Sequence, residues 1–161
     1  MKKTVLLYIF LAFSACSNAQ NFAMPQYIPI YHILTVDSVK LTSSSLPKNK
    51  PVMIIYFGPD CSHCQHLMNE MKPVMNKFKG MEVVMITFAQ LKAIQVFYRD
   101  YDLKKFPNFI VGTEGYSDEV RKYYQLRTTP FIAIYDKTGK LSTYYEKAPK
   151  IDELLASVKK V

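Results

Sequence analysis

The chain has 161 residues, 49% of them hydrophobic and 21% charged, which suits one domain with a full core and excludes wholesale disorder or a collagen-like repeat. Its formal net charge is +8. Its three cysteines, Cys16, Cys61 and Cys64, are too few to staple a disulfide scaffold.

Residues 1–19 read as an export signal. Lys2 and Lys3 precede an apolar stretch at 4–13, and small or polar residues follow. Two endings stay open. Ser17-Asn18-Ala19 suits a general signal peptidase, which would leave Gln20 first. Phe13-Ser14-Ala15-Cys16 resembles a bacterial lipoprotein box, with Phe13 where leucine is usual and Cys16 lipidated. Removing Lys2 and Lys3 lowers the formal charge from +8 to +6. The remaining basic residues are scattered in runs no longer than two, so no nucleic-acid site is expected.

Residues 20–29 read as a linker and 30–161 as a single domain. Residues 30–36 suit an edge strand, and 43–50 form a polar loop. The continuous apolar run 51–57 predicts a strand buried on both faces. Leu67, Met68, Met71, Val74, Met75 and Phe78 then mark one apolar helix face, which Pro73 should bend and Gly80 should close. Residues 82–88 predict a second buried strand. Leu91, Ile94, Phe97, Tyr98 and Tyr101 mark a second helix. After the break at Phe106-Pro107-Asn108 come a short strand at 109–111, a turn at 112–115, and a short helix through Tyr124 with Ser117 as its N-cap. A strand at 131–135, a turn at 136–139, a return strand at 141–145 and an amphipathic helix on Ile151, Leu154, Leu155 and Val158 complete the chain. This order predicts an α/β fold, a central mixed β-sheet flanked by helices, with an antiparallel edge hairpin.

Cys61-Ser62-His63-Cys64 falls where a buried strand ends and a helix begins. Two thiols three positions apart on a first helical turn can close a small disulfide ring. The unpaired N–H groups and positive dipole of a helix N-terminus favour thiolate over thiol. Cys61, nearest the end, is expected to be the more exposed nucleophile. Cys64, one turn in, is expected to be buried and to resolve a mixed disulfide.

The segment from Met53 through Tyr56-Phe57-Gly58-Pro59-Asp60 to Cys64 resembles the active-site strand and loop of the thioredoxin superfamily. Phe106-Pro107, Tyr124-Gln125-Leu126, the run from Thr129-Pro130-Phe131 to Asp136, and Gly139-Lys140-Leu141 resemble later landmarks of its exported, TlpA-like branch. The resemblance implies a thioredoxin-like fold and thiol–disulfide exchange with client protein thiols and a redox partner protein, with no cofactor. It implies a cis Thr129–Pro130 bond facing the cysteines and shaping a substrate groove. With the export signal, it implies a monomer in the periplasm or cell envelope of a Gram-negative bacterium, free or anchored by lipid at Cys16. In strongly oxidising relatives a histidine at the position of His63 tunes the couple by stabilising the first thiolate.

Two departures complicate that reading. Asp60 stands where thioredoxins carry an aromatic residue, and its charge should oppose a Cys61 thiolate. Ile55 stands where they carry a buried acid, so either Glu82 or another carboxylate replaces that acid or Cys64 loses its proton differently. The rival reading is a non-catalytic copper- or partner-binding module that uses Cys61, His63, Cys64 and His66. Those four side chains spread over too wide an arc of one helix to close a tetrahedron alone.

Overall fold

The computed structural model describes residues 22–161. The export signal, its two possible ends and Cys16 lie outside the described residues. Seven strands form one sheet: β1 (His32–Thr35), β2 (Lys40–Thr42), β3 (Val52–Tyr56), β4 (Glu82–Thr87), β5 (Phe109–Thr113), β6 (Phe131–Tyr135) and β7 (Leu141–Tyr145). The spatial order is β2-β1-β5-β4-β3-β6-β7. β3, β4 and β5 run parallel, and every other pairing is antiparallel. The parallel trio sits at the centre because its members are buried at almost every position and can be covered on both sides.

Among the described residues, four α-helices accompany the sheet: α1 (Ser62–Met71), α2 (Leu91–Asp100), α3 (Glu119–Tyr123) and α4 (Ile151–Val158). Strand alternation divides the core in two. Met53, Ile55 and Phe57 point to the face covered by α1, α2 and α4, where Leu67, Phe97 and Leu154 pack. Val52, Ile54 and Tyr56 point to the opposite face, where Tyr31, Val120, Tyr124 and Tyr135 pack. Segment 22–30 borders this second layer. Met24 and Ile28 pack against it, the Gln26 carbonyl accepts from the Leu141 N–H, and the Tyr27 carbonyl accepts from the Tyr123 hydroxyl.

Several local expectations need correction. The strand expected at 30–36 is not an edge: β1 lies between β5 and the unforeseen β2, which forms the edge itself. β2 has only three residues and no buried position, so hydrophobic periodicity could not announce it. The expected loop at 43–50 opens with a 3-10 turn, Ser43–Ser45. At Pro73 the expected bend takes the form of a change of helix type. α1 stops at Met71, and Lys72–Phe78 continues as a 3-10 helix. Proline has no N–H for the α-helical ladder, yet Met75 and Phe78 stay fully buried.

Gly112 and Thr113 belong to β5 rather than to a turn. A Cβ on Gly112 would stand 2.7 Å from Cδ1 of Ile33, so the glycine lets β1 lie close against β5. Ser117 does not cap α3. Its hydroxyl donates to the Glu114 carbonyl, while the Glu114 carboxylate accepts the Val120 N–H of the first helical turn. A tertiary cap replaces the local one expected.

Candidate active site

β3 is buried along its whole length and delivers the chain to a loop, Phe57 to Asp60, at the carboxyl end of the parallel strands. The Phe57 N–H donates to the Ile86 carbonyl, and the Cys61 N–H donates to the Gly58 carbonyl. α1 then begins with Cys61 as its N-cap residue in extended backbone. The Gln65 N–H closes the first turn on the Cys61 carbonyl, and the Gln65 side chain ties back to the Pro59 carbonyl. Backbone on one side and a glutamine on the other thus hold the first cysteine at the helix end.

Both thiols are free. Cys61 is half-buried, whereas Cys64 is buried among Ile55, Phe57 and Leu67. The Cys61 thiol donates to the Thr129 carbonyl at 3.5 Å. The Thr129–Pro130 peptide bond is cis. Gly58, Cys61 and Thr129 meet closely: a Cβ on Gly58 would lie 3.2 Å from that of Cys61 and 3.7 Å from Oγ1 of Thr129.

The two thiols are driven apart electrostatically. Partial burial pushes the Cys61 thiol up, but hydrogen bonds from the Thr129 side chain, the Cys64 thiol and the backbone of Cys64 and His63 outweigh it. The net effect holds Cys61 below the ordinary thiol range. Burial pushes Cys64 up to about 12, and its hydrogen bond with Cys61 adds to this. The Gly58 N–H, 3.5 Å from Sγ of Cys64, and Thr129 pull the other way without cancelling the rise. A pair with one low and one high thiol can attack with the outer sulfur while the inner one stays protonated.

His63 supplies its backbone to Cys61. Its imidazole is exposed and, among the described residues, has no hydrogen-bond partner. It faces a groove of about 1030 Å³, bounded also by Thr129, Pro130, Tyr144, Lys147 and Lys150. Asp60 is exposed and borders a different groove, of about 690 Å³, with Asn69, Lys72 and Tyr101. Asp60 is not among the groups that shift Cys61.

Glu82 does not replace the acid missing at Ile55. It pairs in register with Val52 at the start of β3, the opposite end of the sheet from the cysteines, and its carboxylate is bound to Lys50 at 2.7 Å. Glu114 is buried at the correct end but on the other face. It accepts the Tyr56 hydroxyl at 2.8 Å and the Val120 N–H, and the hydrogen bond leaves Tyr56 well above the ordinary tyrosine range together with burial, the larger cause. Neither buried carboxylate serves Cys64, so the groups that favour its thiolate are the Gly58 N–H and Thr129. Sequence reasoning missed Glu114, because its role depends on two residues brought near by topology.

The other histidines lie elsewhere. His66 pairs with Glu70 one turn along α1 at 3.6 Å, and His32 on β1 pairs with Glu119 at 3.2 Å. Among the described residues, no three His, Cys, Asp or Glu side chains converge as a metal site would require.

A family model for a thioredoxin-like domain matches residues 42–160. A search of curated proteins returned no match. Similar solved structures include a secreted disulfide oxidoreductase of Mycobacterium tuberculosis, described as homologous to Escherichia coli DsbE, at 21% identity and a TM-score of 0.69, covering 81% of this chain and 96% of that one. A thiol-disulfide oxidoreductase from Bacteroides fragilis aligns at 17% identity and 0.68, covering 84% and 98%. The exposed lipoprotein thioredoxin of Streptococcus pneumoniae aligns at 19% and 0.65, covering 82% and 99%. At these identities the structural likeness is one of fold, and the family match spans most of the domain. The chain belongs to the thioredoxin-like family, on a fold it shares with exported thiol–disulfide oxidoreductases.

Proposed function

We propose that this chain is an exported thiol–disulfide oxidoreductase whose Cys61–Cys64 pair exchanges with client proteins. The observation that carries the reading is the division of labour between the thiols: Cys61 half-exposed at a helix N-terminus and held low, Cys64 buried one turn on and pushed up to about 12.

In the reducing direction the Cys61 thiolate attacks one sulfur of a client disulfide. An S–S bond to Cys61 forms, the client S–S bond breaks, and one client sulfur leaves as thiolate. Cys64 then gives up its proton and attacks Cys61 Sγ. The second client sulfur leaves, the two client thiolates take up protons, and the protein holds the Cys61–Cys64 disulfide. Two electrons pass to the client, and a partner dithiol restores the protein. The oxidising direction is the reverse. Thr129 and Pro130 line the groove where a client segment would lie, and no cofactor takes part. The basic, apolar and small-residue order of residues 1–19 supports export to the cell envelope, with Cys16 as the candidate lipid anchor.

An insulin disulfide-reduction assay with dithiothreitol tests the reading. Wild type should accelerate turnover, Cys61→Ser should abolish it, and Cys64→Ser should accumulate mixed disulfides. Wild type that exchanges with no dithiol, yet binds copper stoichiometrically, would favour the non-catalytic alternative.

A further inference from the structure

Beside Thr129, on the side away from His63, a second and smaller cavity of about 150 Å³ opens between Phe88, Arg121, Leu126 and Arg127. Thr128 and Thr129 line both this cavity and the large groove, so the two join at the residue whose carbonyl accepts the Cys61 thiol. Phe88 follows β4 at the cysteine end of the sheet and is 52% exposed. The Arg121 guanidinium stands 5.9 Å from the centre of its ring, which holds the arginine over the cavity.

Among the described residues, neither the Arg121 nor the Arg127 guanidinium has a hydrogen-bond or carboxylate partner. Of the nearby acids, Glu146 shares a neighbouring cavity with Arg127 but makes no ion pair with it within 4.0 Å, and the others are engaged or unpaired with the arginines. Glu114 is taken by Tyr56 and the Val120 N–H, and Glu119 by His32. Asp118 lies near the Tyr56 hydroxyl but pairs with neither arginine within 4.0 Å. The large groove is close to balanced in charge, with Glu146 and Glu153 against Lys147 and Lys150. Asp60 borders the separate groove with Asn69 and Lys72, so the charges lining the small cavity beside Thr129 are those of the two arginines.

We infer that Arg121 and Arg127, with Phe88 as their platform, form a specificity pocket for an acidic side chain flanking the reactive cysteine of a client polypeptide. This deepens the thiol-exchange reading and rests on it. A guanidinium presents a planar fork of donors suited to a carboxylate, and two of them steer an acidic segment before contact.

The test uses the full chain and three synthetic peptides with one internal disulfide, identical except that the cysteines are flanked by glutamate, glutamine or lysine. Dithiothreitol regenerates the protein dithiol. The glutamate peptide should exchange roughly threefold to tenfold faster in kcat/KM than the lysine peptide, a ratio typical of one or two exposed ion pairs. Rising salt should shrink that ratio. Replacing both arginines, Arg121→Gln with Arg127→Gln, should bring it near one, and reversing both, Arg121→Glu with Arg127→Glu, should invert it. A control with the same loss of charge, Lys79→Gln with Lys137→Gln at the other end of the sheet, should keep the wild-type preference.

Exchange at equal rates for all three peptides, or a preference that survives the double arginine substitution, would overturn the inference. A binding arm separates it from the reading beneath it. The Cys61→Ser, Cys64→Ser protein should hold the glutamate peptide more tightly in fluorescence anisotropy. If that preference appears while no peptide is exchanged by wild type, the pocket stands and the oxidoreductase reading falls.

Discussion

Selective alkylation of the two thiols tests the electrostatic asymmetry most directly. An ordinary thiol titrates near 9.0 and is about one-tenth thiolate near pH 8. Cys61 lies below that value, so its thiolate fraction is at least as large. Cys64, at about 12, would be roughly one part in ten thousand thiolate at the same pH. The ratio of thiolate populations is then about a thousandfold. Intrinsic nucleophilicity opposes it, because a more basic thiolate reacts faster. For a gap of about three units this returns roughly 15- to 30-fold to Cys64. The net expectation is that Cys61 reacts at least about 30-fold faster, and the burial of Cys64 widens the gap. The assay is a time course with iodoacetamide on the reduced protein, read by mass spectrometry of peptides. Cys61 labelling should follow a titration midpoint below 9.0, and the two sites should label alike in denaturant. Comparable rates in the native protein, or Cys64 labelled first, would refute the assignment of a low outer and a high inner thiol.

Three further outcomes follow from the packing. Gly112→Ala would drive a methyl group to within 2.7 Å of Ile33 and should cost about 1–3 kcal/mol in urea unfolding, whereas Gly80→Ala meets nothing within 4 Å and should be close to neutral. Alkaline pH should unfold the protein. Burial raises Tyr31, Tyr56, Tyr124 and Tyr135 above 10.0 and Cys64 above 9.0. The native state therefore binds these protons more tightly than the unfolded chain. Their contribution is complete below about pH 9 and is lost as pH climbs through the raised native values. Denaturant midpoints should fall steadily above pH 9, and tyrosinate absorbance should rise together with unfolding rather than before it. Ile55→Asp restores a carboxyl at the empty acid position, inside the cluster that holds Cys64. An unpaired charge there should cost about 3–5 kcal/mol in stability, and the second, resolving step of exchange should speed up in stopped-flow measurements. A variant as stable as wild type would mean that Ile55 is less enclosed than it is here.

Much of the fold was legible in sequence because its central strands are continuous apolar runs. Strands β3, β4 and β6 are buried at every position, and such runs announce themselves without reference to neighbours. The helices α1, α2 and α4 carried a regular apolar stripe for the same reason. What periodicity missed is what tertiary pairing creates. β2 is three residues long with nothing buried, and it exists only because β1 offers it an edge. Gly112 looked like turn punctuation, although its small size serves the approach of Ile33. α3 is five residues long and depends on the carboxylate of Glu114, just after β5, to satisfy its first turn.

The candidate site divides in the same way. Local sequence alone determined that two cysteines three apart would begin a helix after a buried strand, because that order is set by burial pattern and helix geometry within one short segment. It could not determine what surrounds them. Thr129 lies 68 residues beyond Cys61 and comes within 3.5 Å only because β6 pairs antiparallel with β3. Parallel pairing of β4 with β3 sends Glu82 to the far end of the sheet, and Glu114, which follows β5, ends at the near end on the other face. The chemistry of each thiol depends on desolvation and on hydrogen bonds from distant residues. Helix geometry already marked Cys61 as the outer, more reactive thiol and Cys64 as the inner one; the groups that set the difference are properties of packed space rather than of chain order, and for that reason only the tertiary structure decided them.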